Sequence, residues 1–209
     1  MPEPKKPTRL FLVRHGEVVR RGQGKFLGFT DLEMSSKGKK QIQGLAEYLK
    51  SQTLDQVYAS DLIRAAGSAG IICRHRKVKP VIRPAFREMN MGDWDGLSWD
   101  EVRKNNSEIN PRYFYNLKKF HFPGGENWTQ FRDRVLKGIG IMLGEGQGKK
   151  VLLVAHAGVN RIILSKALGL RYRNMFHIAQ DYACLNIIEY YETGARVVLV
   201  NGIYHQGKV

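Results

Sequence analysis

Leu10-Phe11-Leu12-Val13-Arg14-His15-Gly16-Glu17 sends four apolar residues straight into an arginine, a histidine and a glycine. The apolar run reads as a short strand buried on both faces, which implies a parallel sheet. The polar residues then fall at the strand's carboxyl end, the edge of an open α/β sheet where ligands bind. Far downstream the same grammar returns in Val151-Leu152-Leu153-Val154-Ala155-His156-Ala157-Gly158. Two buried strands thus deliver two histidines to one sheet edge, and the first brings an arginine beside its histidine.

Around these two stretches the chain alternates. Residues 8–13 are the first strand, followed by a polar, glycine-spaced loop over 16–34 that carries Arg20, Arg21, Gly22, Gly24, Lys25 and Gly28. A loop this long leaving the sheet edge can turn its amides and cations toward an anion. Ser35 or Ser36 caps a helix running to about residue 50, with Ile42, Leu45 and Leu49 on one face. Residues 57–59 read as a strand, and Ser60-Asp61 as the cap of a helix over 62–73 with Arg64 in its first turn. A strand follows at 78–82, then a loop over 86–96 bearing Glu88, then helices over 99–105 and 127–143. The second histidine strand, a helix over 159–168 and a closing pair of strands at 185–191 and 197–204 complete the pattern. Strands alternating with helices predict an α/β fold, a three-layer αβα sandwich on a mostly parallel central sheet.

The length of 209 residues suits one such domain, expected over 8–209, with 106–125 as a lid or insertion. Residues 1–7, rich in proline and lysine, read as a flexible tail without the apolar core of a signal peptide. No apolar run approaches the roughly 20 residues of a membrane helix, so no membrane partner is expected. With 43% hydrophobic and 25% charged residues, the composition excludes global disorder. Two cysteines, Cys73 and Cys184, form no paired motif, which suits a reduced, cytoplasmic setting. The net charge of +15 favours anionic partners: a small phosphorylated substrate first, with nucleic acid less favoured.

The polar residues suit phosphoryl transfer. A strand-end histidine whose Nδ1–H is held by a carbonyl keeps a free lone pair on Nε2, which can attack phosphorus. Charge on the equatorial oxygens calls for planar, multi-donor cations, and Arg14 and Arg64 fit that need. His156 adds a donor, and Glu88 is the candidate for protonating the leaving oxygen. The scheme needs no metal and no cofactor. Asp93 and Asp95, which could suggest a metal, alternate around Trp94 and read instead as a solvated turn. Gly146-Gln147-Gly148-Lys149 lies before a strand rather than after one and lacks the following Ser or Thr, so it is not a phosphate loop.

Together these segments resemble the histidine phosphatase superfamily, the phosphoglycerate mutase-like proteins. Arg14-His15-Gly16-Glu17 matches its signature, and Ser60-Asp61-Leu62-Ile63-Arg64-Ala65 is similar to its second motif. Glu88 with Met91-Gly92-Asp93-Trp94-Asp95-Gly96 resembles the acid-bearing loop. Pro123-Gly124-Gly125-Glu126 and Ala155-His156-Ala157-Gly158-Val159 resemble the later motifs. The resemblance implies that His15 becomes a phosphohistidine, that Arg14, Arg64 and His156 hold the phosphate, and that Glu88 is proton donor and then base. The candidate substrate-binding set is Arg14, Arg21, Thr30, Arg64 and Ala157. Mutases of the family carry an asparagine where this chain has Arg21, and Val18 and Leu27 also depart from them. Chain size and the Thr30-Asp31 pair look more like the α-ribazole-5′-phosphate phosphatase branch. The expected activity is therefore phosphomonoester hydrolysis. A phosphoglycerate mutase, or a non-catalytic basic protein binding phosphate or nucleic acid on the same fold, is the alternative.

Overall fold

The computed structural model describes residues 6–19, 24–105, 121–203, 205 and 207. A six-stranded sheet runs through it in the order β3-β2-β4-β1-β5-β6. The strands are β1 (Thr8–Arg14), β2 (Gln56–Ala59), β3 (Pro80–Ile82), β4 (Lys150–Ala155), β5 (Leu185–Tyr191) and β6 (Gly194–Gly202). The pairs β3·β2, β2·β4 and β4·β1 are parallel, while β5 runs antiparallel to β1 and β6 antiparallel to β5. The mostly parallel sheet is thus extended by an antiparallel hairpin, the closing pair of the sequence.

Period-2 alternation divides the core. Leu10 and Leu12 of β1, with Val151, Leu153 and Ala155 of β4, point to one face. There they meet Phe131, Val135, Ile139 and Met142 of the helix Trp128–Glu145 and Val159, Ile162 and Ile163 of the helix Ala157–Ala167. Phe11 and Val13, with Leu152 and Val154, point to the other face. Those pack on Ile42, Leu45 and Leu49 at the helix Ser36–Tyr48 and on Ala65, Ala69 and Ile72 of the helix Ile63–Cys73. Covering both faces is why β1 and β4 read as unbroken apolar runs. In chain order the helices are α1 (Ser36–Tyr48), α2 (Ile63–Cys73), α3 (Trp99–Asn105), α4 (Trp128–Glu145) and α5 (Ala157–Ala167).

One cap matches expectation: Ser35 accepts the Gly38 amide at the start of α1. At α4, Asn127 and Gln130 close a reciprocal capping box that the sequence reading did not name. The start of α2 differs. Ser60 Oγ accepts only the Leu62 amide, and the Ile63 amide goes to Asp31 of the first loop instead. Asp61 is engaged elsewhere, in a bidentate pair with Arg87. The cap comes from a residue distant in sequence because the loop after β1 folds back over the helix start. Of the expected tail, residues 1–5 lie outside the described residues, and so do 106–120 of the expected insertion. Residues 121–125 form a turn against the acid-bearing loop, where the Asp93 amide donates to the Pro123 carbonyl. No helix among the described residues is long and apolar enough to cross a membrane.

Candidate active site

The carboxyl ends of the four parallel strands supply the expected site. The β1·β4 register sets Arg14 opposite Ala155, so His15 and His156 emerge side by side, their ring centroids 5.1 Å apart. Strand β2 leads through Ser60 into α2 and Arg64, and β3 leads through a 3₁₀ turn at Pro84–Phe86 to Glu88. Five candidate residues from separate parts of the chain thus converge at one sheet edge.

His15 is buried, and its Nδ1 lies 2.8 Å from the carbonyl oxygen of Gly16. A carbonyl can only accept, so Nδ1 carries the hydrogen and Nε2 is left as the basic nitrogen. Burial, then the charges of Arg64 and Arg14, hold the ring well below its ordinary value of 6.5, against the opposing pull of the Gly16 bond. Burial likewise lowers His156, followed by Arg64, His15, Arg14 and Arg134. Both rings are therefore neutral at neutral pH.

The guanidinium groups are held from behind. Arg14 Nη1 donates to the Gln180 carbonyl at 2.5 Å, and its plane lies 3.9 Å from the ring centroid of Tyr182. Gln180 is fixed in turn by a buried amide network with Asn160 and Asn186. Arg64 is 1% exposed and donates to the carbonyls of Gly28 and Thr30, at 2.8 Å each. Burial pulls it below its ordinary value, opposed by Glu88, Asp31 and Asp95. Four buried nitrogens here have no hydrogen-bond partner among the described residues: Nε of Arg14, Nε of Arg64, and Nδ1 and Nε2 of His156. Buried polar atoms are rarely left so. The two guanidinium Nε–H groups and the one N–H of a neutral His156 are donors, and a tetrahedral oxyanion has acceptors to meet them.

Glu88 sits against the first turn of α5, where its Oε2 accepts the Gly158 amide at 2.9 Å and its Oε1 accepts the Met89 amide at 3.0 Å. This approach requires glycine at 158, since a Cβ there would stand 2.3 Å from Oε1. A cavity of about 240 Å³ is lined by Arg14, His15, Glu88, His156, Ala157 and Gly158 at its polar end. Arg64 and Thr30 do not line it. Thr30 instead gives its carbonyl to Arg64 and its amide to Asp95. Arg21, the remaining expected substrate contact, lies outside the described residues.

Several partners were not legible in the sequence. Asp95, expected in a solvated turn, takes the consecutive amides of Gly28, Phe29 and Thr30 and so shapes the loop that holds Arg64. The neighbouring Trp94 is buried, at the centre of a ring cluster. Arg134 and Arg161, from helix positions with no motif around them, reach the Glu88 segment and the cavity. Among the described residues, no group of three or more His, Cys, Asp or Glu is placed to hold a metal ion.

A fold with paired histidines and guanidinium groups at the carboxyl edge of a parallel sheet defines a phosphate-handling α/β protein. The profile of the histidine phosphatase superfamily (branch 1) matches residues 10–202, and the chain belongs to that family. It is 25% identical over 193 residues to the adenosylcobalamin/α-ribazole phosphatase of Escherichia coli, covering 92% of this chain and 95% of that one. It is 32% identical over 159 residues to a metal-independent phosphoserine phosphatase of Arabidopsis thaliana, covering 75% and 67%. Among solved structures, the α-ribazole phosphatase of Shigella flexneri superposes with a TM-score of 0.86 at 25% identity, over 93% of this chain and 96% of that one.

Proposed function

We propose that the protein is a metal-independent phosphomonoesterase that works through a phosphohistidine at His15. The observation that carries this reading is the contact of His15 Nδ1 with the Gly16 carbonyl, which leaves Nε2 as the basic nitrogen of a buried ring that lines the same cavity as Glu88 and His156.

In this scheme Nε2 attacks phosphorus as the bond to the leaving oxygen breaks, and Glu88 gives that oxygen its proton. Water then attacks phosphorus, yields a proton to Glu88, and inorganic phosphate leaves with the nitrogen lone pair returned to His15. Arg14 and His156, which line the cavity, stabilise the equatorial oxygens, and Arg64, buried close enough to His15 to lower its proton affinity, offers them its unpaired Nε–H. One such preorganised donor is worth roughly 3–4 kcal/mol in characterised enzymes. The cations that transfer requires are guanidinium groups, so the scheme calls for no metal ion. The substrate is a small phosphorylated metabolite, with α-ribazole 5′-phosphate first among those to be tried because of the likeness to α-ribazole phosphatases.

The test is phosphate release in EDTA, with alkaline quenching to trap phosphoenzyme. Wild type should turn over and yield an acid-labile, base-stable phosphoryl group, and His15→Ala should do neither. Turnover by His15→Ala above about a hundredth of wild type overturns the assignment of the nucleophile.

A further inference from the structure

The cavity beyond the phosphate end is walled by apolar side chains. Met91 and Phe122 come from the ring cluster around Trp94, and Trp128, Phe131, Met175 and Phe176 from the core beneath the sheet. We propose that the leaving group accepted by this site carries an aromatic ring, seated among these side chains. The inference rests on the phosphomonoesterase reading above.

Three features point to it. First, three of the rings that wall the cavity are braced. Phe122 packs edge-on against Trp94 at 5.4 Å and against Phe26 at 6.3 Å, and Trp128 packs on Phe131 at 6.1 Å and Tyr172 at 5.8 Å. Rings braced by other rings cannot collapse into the cavity, so the slot exists before the ligand arrives and little ordering is needed on binding. Second, the slot is mismatched to a small polar leaving group. A leaving alcohol such as serine or glycerate would leave those faces against water, whereas a ring would cover them. Third, the methionines are suited to such a guest, because thioether sulfur adapts its shape and makes favourable contacts with ring edges.

One group at the cavity favours a different guest. Arg161 lines it and donates Nε to the Ile178 carbonyl, with no ion-pair partner among the described residues. A substrate carboxylate could pair with it. Its guanidinium lies over the Phe176 ring, however, at 5.8 Å, which leaves it as one more flat surface of the slot.

The deciding comparison is 2-phenylethyl phosphate against ethyl phosphate. The leaving alcohols have similar acidity, so the ratio of kcat/KM reports recognition of the ring rather than activation of the ester. The expected ratio is about tenfold or more, the usual yield of burying one ring. Replacing Phe176→Ala or Met91→Ala should bring the ratio down. A ratio within threefold with both esters turned over overturns the inference and leaves the phosphatase reading standing. So does a higher kcat/KM for phosphoserine than for 2-phenylethyl phosphate, which would instead assign Arg161 to a carboxylate. Absence of turnover of every ester, in a folded sample, is the separate failure of the phosphatase reading itself.

Discussion

At the scale of single residues, the proposed chemistry depends on keeping two histidines neutral and one carboxylate still. The folded-state values of His15 and His156 lie below the ordinary 6.5. Between the folded and unfolded values the unfolded chain binds more protons, so this contribution to stability is full above pH 6.5 and is lost as pH falls toward the folded values. Ring resonances of labelled histidine should show both side chains still neutral at pH 6.5, and the urea midpoint should fall on acidification from that point. A half-titrated His15 at pH 6.5 would mean that burial and the two arginines do not act as described. Gly158 tests the carboxylate. An added methyl would stand 2.3 Å from Glu88 Oε1, while that oxygen is held by the Met89 amide. The carboxylate must therefore move, although the fold need not. Gly158→Ala should lose about 10²-fold in kcat on alkyl phosphates, the usual worth of a placed proton donor, and much less on p-nitrophenyl phosphate, whose leaving group needs little protonation. Equal losses on the two esters would separate Gly158 from the acid. Glu88→Gln should give the same signature, and its failure to do so removes Glu88 from the role.

At the scale of elements, Arg134 of α4 ties the acid-bearing segment to the sheet's helical layer. It donates to Glu126 through Nε and Nη2, and to the carbonyls of Ala85, Arg87 and Glu88 through Nη1 and Nη2. Glu126 in turn accepts the Asn90 amide, so both ends of the Glu88 segment hang on one ion pair. Arg134→Met leaves three carbonyls without this donor and Glu126 without its cation, a loss on the order of 2 kcal/mol given partial solvent access. Because the segment carries Glu88, the variant should also lose more activity on alkyl than on aryl esters. A purely structural role would lower both alike. This bracing was invisible in the sequence, although what it braces was not. Arg14-His15, Arg64 and His156 announced themselves because each follows an apolar strand or opens a helix, where chain direction alone fixes their place at the sheet edge; Glu88 stood out only as the carboxylate of a glycine-bearing loop. Asp95, Asp31, Arg134 and Arg161 act through contacts between segments distant in sequence, and no local period records those. The same limit explains the cap of α2: Ser60-Asp61 looked like a helix start, but the amide went to Asp31 across 32 positions of chain.

At the scale of the whole molecule, 34 basic side chains against 19 acidic ones leave a net charge of +15. Locally the described cavity carries Arg14, Lys25 and Arg161 against the single carboxylate of Glu88, and Lys25 is paired with Glu101. The two contributions differ in range. The guanidinium groups at the phosphate end act at contact distance in a buried place, where salt screens little, whereas the surplus spread over the surface acts across lengths that salt cuts to about 10 Å at 0.1 M. Surface charge should therefore affect capture of a dianionic ester and leave the chemical step alone. Raising ionic strength from low salt to about 0.3 M is expected to lower kcat/KM severalfold for a phosphomonoester while kcat stays constant. The ions for this series should be chloride, since sulfate would compete for the site itself. A parallel fall in kcat would place the screened charges in the transition state rather than in the approach. A flat kcat/KM would mean that recognition is complete within the cavity and that the +15 serves some other anionic partner. Duplex DNA added at low salt then separates those cases. If the field is what gathers substrate, a polyanion on the surface must depress kcat/KM without touching kcat, and salt must relieve that inhibition as it lowers the uninhibited rate.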